Sequence, residues 1–376
     1  MCIAEHSHMA YQRIVVKLGT SVLTAGTDRL NRPQILDLVR QMAGLFAEGR
    51  EMILVSSGAI MAGREVLGFP KLDKNIPFRQ VLAAVGQGRL MHLYAQLFDL
   101  YDITVAQALL TRRDLAHRSH YLNARNTLMA LLRQRVLPVV NENDTVAVEE
   151  IKIGDNDNLS ALVANLVDAD LLIMLTDTAG LFTADPRLDP NARLIPEVPM
   201  IDDTIRELAG STTTGRGVGG MITKIEAAEL ATRSGTEVVI AAGDVDNVIP
   251  RLVAGEAIGT RFRATASRVE SRKRWILAEP PRGTVVVDAG AARALLKNGK
   301  SLLPVGVTAV EGHFERGETV RVVDQMGVEI GRGITNYGAG SLTRIHGLQS
   351  DQIEKVLGYD YGAVVIHRDD LVVVES

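Results

Sequence analysis

Short apolar, β-branched runs recur along the chain: RIVVKL (13–18), MILVSS (52–57), ITVAQ (103–107), VLPVV (136–140), LLIML (171–175) and EVVIAA (237–242). Most are separated by stretches with helical spacing. In 31–50, Ile35, Leu38, Val39, Met42 and Leu45 fall on one face, and the pattern stops near Gly49. Residues 78–101 and 124–135 repeat that spacing. Strands that are apolar throughout, alternating with amphipathic helices, predict a mostly parallel sheet covered on both faces. The expected fold is therefore α/β, a three-layer αβα sandwich. In such sheets ligands gather at the carboxyl ends of the strands, and the notable polar residues fall there, after 18, 57, 140 and 175.

The pattern changes after about residue 265. Residues 266–282 are charged and then Pro/Gly-rich, the composition of a linker. From 283 to 376 come short strand-like runs with turn signals: GTVVVDAG, TAVEG, ETVRVVDQMG, EIGRGITNYG and GAVVIHRDD. That spacing predicts a small β-rich barrel or sandwich. The expected division is thus a larger domain over 9–265, a linker over 266–282 and a smaller domain over 283–376.

The 376 residues suffice for two cores, 46% are apolar, and the net charge is −4, which disfavours a general nucleic-acid or membrane coat. Cys2 is the single cysteine, so no intramolecular disulfide and no thiolate zinc site can form. No apolar run approaches the roughly 20 residues that span a bilayer, and the first residues lack a secretory pattern. Cytoplasmic placement is expected. Met9 is a possible start, which makes His6 and His8 poor metal candidates.

Four stretches carry chemistry. VVKLGTSVL (15–23) closes a strand on Lys17 and continues through Gly19 and Thr20; a glycine turn beside a lysine suits phosphate. It is not a Walker A loop, and no GxGxxG follows the first strand. VSSGAIMAG (55–63) leads a strand through Ser57 into a helix start, where serine is also an ordinary N-cap. LTDTAGLFTADPR (175–187) leaves a buried strand at Thr176 and Asp177. The span 212–235 has Gly215, Gly217, Gly219 and Gly220 ahead of Lys224 in a first helical turn. Between them, NENDTVAVEEIKIGDNDNLSA (141–161) crowds Asn141, Asn143, Asp144, Asp155, Asn156, Asp157 and Asn158 together. Two lysines from different glycine turns at one sheet edge fit phosphoryl transfer, which needs cations on the moving charge. Asp155 and Asp157 would either align the lysines or hold Mg²⁺.

In this order, these motifs resemble the glutamate 5-kinase family of the amino acid kinase superfamily. The resemblance runs from about residue 11 to 370; NEND…GDNDNLSA is specific to the family, and the lysine–glycine turns are shared across the superfamily. The last hundred residues resemble a PUA domain, a small pseudo-barrel. The resemblance implies an ATP- and Mg²⁺-dependent phosphorylation of L-glutamate to L-glutamyl 5-phosphate, opening proline synthesis, with proline as inhibitor and a homo-oligomeric assembly (dimer or tetramer). It implies that Lys17 and Lys224 stabilise the transferring group and that Asp157 orients them. Ser57, Asp144 and Asn156 would bind glutamate, with Asn141 beside them; Asp155 would help hold the site or the metal. Gly19, Thr20, Thr176, Asp177 and the loop Val218, Gly219, Gly220, Met221, Ile222, Thr223 and Lys224 would face the nucleotide.

Two alternatives stay open on the residues alone: a sibling kinase of acetylglutamate, aspartate, carbamate or a nucleoside monophosphate, and an RNA-binding accessory protein acting through the C-terminal domain. Residues 270–376 hold 13 Lys/Arg against 14 Asp/Glu, so the basic footprint of RNA binding is missing. Trp275, in RKRWIL, is read as packing rather than base stacking, and His367 as packed or solvated in a terminal strand.

Overall fold

The computed structural model describes residues 11–72, 75–147, 156–211, 220–267, 270, 273 and 276–374. The chain divides into two compact units, Met1–Ala116 with Asn123–Ser267, and His117–Leu122 with Arg268–Ser376.

In the first unit the apolar runs become strands: β1 Arg13–Leu18, β2 Glu51–Ser56, β3 Val105–Leu110, β4 Leu137–Glu142, β5 Leu171–Thr176, β6 Glu197–Val198, β7 Glu237–Ala242 and β8 Thr260–Phe262. Among the described residues they form an eight-stranded sheet in the order β3-β4-β2-β1-β5-β7-β8-β6. Neighbours pair in parallel except β7 with β8. From β1 the chain winds outward through β2 and β4 on one side and through β5 and β7 on the other. The reversal falls at the β1/β5 boundary, the place where open α/β sheets bind ligands at their carboxyl edge.

Strand period two decides which side chains meet which helices. Ile14, Val16 and Leu18 of β1 join Met52, Leu54, Val139, Ile173 and Val239 in one core. The helices Arg32–Ala47, Ala59–Val66 and Ile76–Asp99 contribute to that same core. Val15 and Lys17 therefore point to the opposite face. There the helices Asp157–Leu166 and Met221–Arg233 pack on the sheet and on each other. Both faces are covered, so Val15 and Val16 are alike 0% exposed.

Helix Ala59–Val66 crosses helix Ile76–Asp99 backbone against backbone. A Cβ on Gly86 would collide with the carbonyl oxygen of Ala59 and the amide of Gly63, and one on Gly63 would collide with the carbonyl of Leu82. Gly86→Ala is expected to destabilise the fold by about 3 kcal/mol, since neither backbone can yield locally. Thermal unfolding of the variant should show its Tm lowered by roughly 6–12 °C.

The second unit carries β9 Gly283–Val287, β10 Val307–Gly312, β11 Thr319–Val323, β12 Glu329–Ile334 and β13 Leu371–Val373, in the order β10-β9-β11-β12-β13. Val285, Val287, Val320, Val322, Leu342 and Ile366 form its core. Tyr337 is fully buried there; its hydroxyl donates to Gly362 O at 2.7 Å and accepts from the Tyr361 N–H at 2.9 Å. The run GAVVIHRDD does not form the expected terminal strand. His367 accepts the Asp369 N–H at Nδ1, 3.2 Å, and caps a 3₁₀ turn over Arg368–Asp370, so the strand starts only at Leu371. Asp369 and Asp370 favour such locally bonded turns over a ladder. Trp275 lies outside the described residues.

Candidate active site

Lys17 sits near the end of β1 and is 2% exposed. A lysine so deep needs a partner for its charge. It finds one in Asp157, which is 0% exposed at the first position of its helix: Lys17 Nζ lies 2.5 Å from Asp157 Oδ1. The other carboxylate oxygen accepts from Lys224 Nζ at 3.0 Å and from Thr223 Oγ1 at 3.0 Å. Lys224, 7% exposed, comes from the first turn of helix Met221–Arg233. One carboxylate thus joins two ammonium groups from distant parts of the chain, at the strand reversal. Sequence alone left open whether Asp157 aligns the lysines; the geometry places it between them.

Asn156 precedes Asp157 and is the N-cap residue of that helix, yet its side chain makes no cap bond. Its Nδ2 donates instead to Ser56 O at 2.8 Å and to Asn141 Oδ1 at 2.7 Å. Asn141, at the end of β4, donates through Nδ2 to Gln87 Oε1 at 2.7 Å. Ser57 follows β2, is 8% exposed, and donates its N–H to Leu18 O at 3.0 Å. The serine-cap alternative does not hold. The N-cap is Gly58, at φ +102°, a conformation that side-chain-bearing residues rarely adopt.

The helix starts after Gly19, Gly58, Asn156 and Gly220, all beside these lysines, lack a side-chain cap, as do those after Asn247 and Gly338. Uncapped N–H groups favour anions.

Asp144 is half-buried in the turn after β4. Thr176 ends β5, is 6% exposed and donates to Asp177 Oδ1 at 3.0 Å. Gly220, Met221, Ile222 and Thr223 lie at the start of the Lys224 helix, while Gly19 and Thr20 open the short helix after β1. Asp155, Val218 and Gly219 lie outside the described residues. In the loop after β5, Asp185 accepts from Arg187 at N (3.0 Å), Nε (2.9 Å) and Nη2 (2.8 Å). Those bonds hold its carboxyl below the usual carboxylate range.

Sequence reasoning missed Gln80, Gln87 and Tyr94. They stand one heptad apart on helix Ile76–Asp99 and share a face. Gln80 donates to Thr145 O and Ala147 O at 3.3 and 3.4 Å. Tyr94 is 0% exposed and shares a 2.7 Å bond with Ser56 Oγ; burial pushes its phenol pKa up. Polar residues at heptad spacing among Leu82, Ala83 and Leu90 were the available signal.

The strand order sets out the site's halves. Asn141 lies in β4 and Ser57 just after β2, on one side of Lys17; Thr176 ends β5 and Asp177 follows it, on the other. Neighbouring strands lie about 4.8 Å apart, so the lysines stand between an amide-rich half and a half closed by β5. Two buried ammonium groups suit phosphate oxygens rather than a metal ion. Among the described residues no group of three or more His, Cys, Asp or Glu could hold one.

A largely parallel sheet with two lysines on one carboxylate at its carboxyl edge suits a phosphoryl-transferring enzyme. The sequence profile of the Amino acid kinase family matches residues 12–242, and that of the PUA domain residues 283–357. A glutamate 5-kinase of Herpetosiphon aurantiacus is 59% identical over 363 residues, 96% of this chain and 98% of its own. A glutamate 5-kinase of Deinococcus radiodurans is 58% identical over 362 residues, 96% of this chain and 100% of its own. Among solved structures, the UMP kinase of Bacillus anthracis matches 68% of this chain and 97% of its own, with a TM-score of 0.48 and 16% identity. The chain belongs to the glutamate 5-kinase family and is a kinase. No helix among the described residues is long and apolar enough to cross a membrane.

Proposed function

We propose that the protein transfers the γ-phosphoryl group of ATP to the γ-carboxylate of L-glutamate, giving ADP and L-glutamyl 5-phosphate, the first step of proline synthesis. The observation that carries this reading is the Lys17–Asp157–Lys224 bridge beside the Asn141–Asn156 amide pair. A glutamate carboxylate, with a pKa near 4.3, is already ionised at neutral pH, so no general base is required. One carboxylate oxygen forms a bond to Pγ while the bond from Pγ to the β-phosphate oxygen breaks, and the electron pair leaves with ADP. Lys17 and Lys224 place positive charge on the Pγ oxygens, and Asp157 keeps both ammonium groups in position through the transfer. Ser57, Asp144 and Asn156 hold the amino acid, and Asp155 supports that half. Thr176, Asp177 and the segment from Val218 and Gly219 to Lys224 hold the nucleotide. Mg²⁺, carried with ATP, would supply further charge neutralisation on the phosphates. Proline, which shares the α-carboxylate and ammonium of glutamate, acts as inhibitor, and the working form is a homo-oligomer in the cytoplasm.

The test is ADP release with MgATP in the presence of hydroxylamine, which traps an acyl phosphate as its hydroxamate. Hydroxamate is expected with L-glutamate and not with aspartate or acetylglutamate, and added proline should suppress it. Turnover with aspartate or acetylglutamate in place of glutamate would reassign the substrate.

A further inference from the structure

The ends of an Asn or Gln side chain are told apart by what they face, and here two backbone groups settle a whole series. Ser56 O can only accept, so the Asn156 atom 2.8 Å from it is Nδ2. The Glu142 N–H can only donate, and it points at Asn141 Oδ1 at 2.8 Å. That same oxygen takes the second Asn156 hydrogen, at 2.7 Å. Asn141 must then present Nδ2 at its other end, and the Gln87 atom 2.7 Å away must be the oxygen Oε1. No member of the series can rotate without breaking a partner's bond. Both Asn156 amide hydrogens are engaged, so its Oδ1 remains as an acceptor. An acceptor suits an ammonium group and disfavours a carboxylate.

We propose that Gln87 is a specificity-determining positioning residue of the amino-acid half of the site: as the acceptor for Asn141 Nδ2 it reinforces the orientation that the Glu142 N–H and Ser56 O set, and so helps keep the Asn156 carbonyl oxygen turned to the substrate's α-ammonium group. This rests on the glutamate-kinase reading above. Asn141 is 3% exposed and Asn156 6%, so water cannot readily replace a lost partner. Gln87 also belongs to a stripe. One heptad before it, Gln80 holds the backbone at Thr145 and Ala147; one heptad after it, Tyr94 holds Ser56. A single helix thereby grips the end of β2 and the segment after β4, which border this half. The helix is itself set by its close crossing at Gly86, the residue before Gln87.

The experiment compares wild type, Gln87→Met and Gln87→Glu in the hydroxamate assay, with L-glutamate and with glutarate, which lacks the ammonium group. Gln87→Met removes the acceptor at similar length. It should raise the glutamate KM about tenfold, the size of one lost buried hydrogen bond, and leave the ATP KM within about twofold. The kcat/KM preference for glutamate over glutarate should fall by a similar factor. Gln87→Glu keeps an acceptor oxygen within reach of Asn141 Nδ2 and should recover most of both losses, which keeps the test alive even where Gln87→Met fails to fold. A purely structural role would move the ATP and glutamate constants together and leave the glutamate/glutarate preference unchanged, and that result overturns the proposal. So does a loss in Gln87→Glu equal to that in Gln87→Met. Wild type that turns over glutamate separates these outcomes from failure of the functional reading. Wild type that does not would remove both.

Discussion

Asp157→Asn lowers kcat by about a hundredfold or more while the KM for ATP stays level or falls. The two halves of that expectation have different causes. Asp157 is 0% exposed and bonds both Lys17 and Lys224. An amide of the same shape offers one acceptor and one NH₂ donor, so one lysine meets a donor and both lose the charge between them. Two buried cations then face each other without the carboxylate charge between them, and breaking such a pair typically costs about 3–5 kcal/mol. ATP brings several negative charges to that spot, so its binding relieves part of the strain and its KM does not rise. Rate depends on where the ammonium groups stand as charge develops on Pγ, and that geometry is lost. Steady-state kinetics measure both halves. Thermal melts test the repulsion behind them: the variant without ligand should melt below wild type, and MgATP should raise its Tm by more than it raises the wild-type Tm. A higher KM for ATP with kcat unchanged would mean that Asp157 serves nucleotide binding rather than lysine placement.

Lys17 was legible as a lysine closing an apolar strand ahead of a glycine turn; its burial was not, since a lysine at a strand end is ordinarily solvated. Lys224 was legible as a charge following a glycine run, and Asp157 as a member of the Asn/Asp cluster over 141–161, where aligning the lysines and holding Mg²⁺ both stayed open. Gln87 and Tyr94 were not. They sit within a long helix whose apolar residues account for its spacing, and their polar ends matter only because of strands far away in the chain. Asn156 misleads in a similar way. By residue type it should cap its helix, and tertiary partners divert it to Ser56 and Asn141. The helix expected over 124–135 begins at Arg118 instead. Its first turns, RSHYLN, show no apolar stripe, and residues 117–122 belong to the second compact unit, a long-range association that periodicity cannot register. The terminal strand moved for a local reason, the His367–Asp369 turn.

Lys224→Ala should lower kcat by about 10²–10³, the usual effect of removing one group aimed at developing charge, with the glutamate KM changed by less than about threefold. Lys224 lies in the first turn of helix Met221–Arg233, while the proposed amino-acid half is built from Asn141 of β4, Ser57 after β2 and Asn156 ahead of helix Asp157–Leu166. Ground-state glutamate therefore keeps its contacts, and what is lost is confined to the transferring group. Asp157 is left with Lys17 as its cation, and the hydroxyl of Thr223 still reaches Oδ2 at 3.0 Å, so the carboxylate is not stranded and the fold should hold. Lys224→Arg tests whether charge alone suffices. The ammonium group is a compact point donor in a site where Lys224 is only 7% exposed. A planar guanidinium on a longer stem cannot occupy the same point. The arginine variant should therefore recover less than about a tenth of the wild-type kcat. Near-complete recovery would show that the site needs positive charge without a fixed position, and the role assigned to Asp157 in holding the lysines would fall with it.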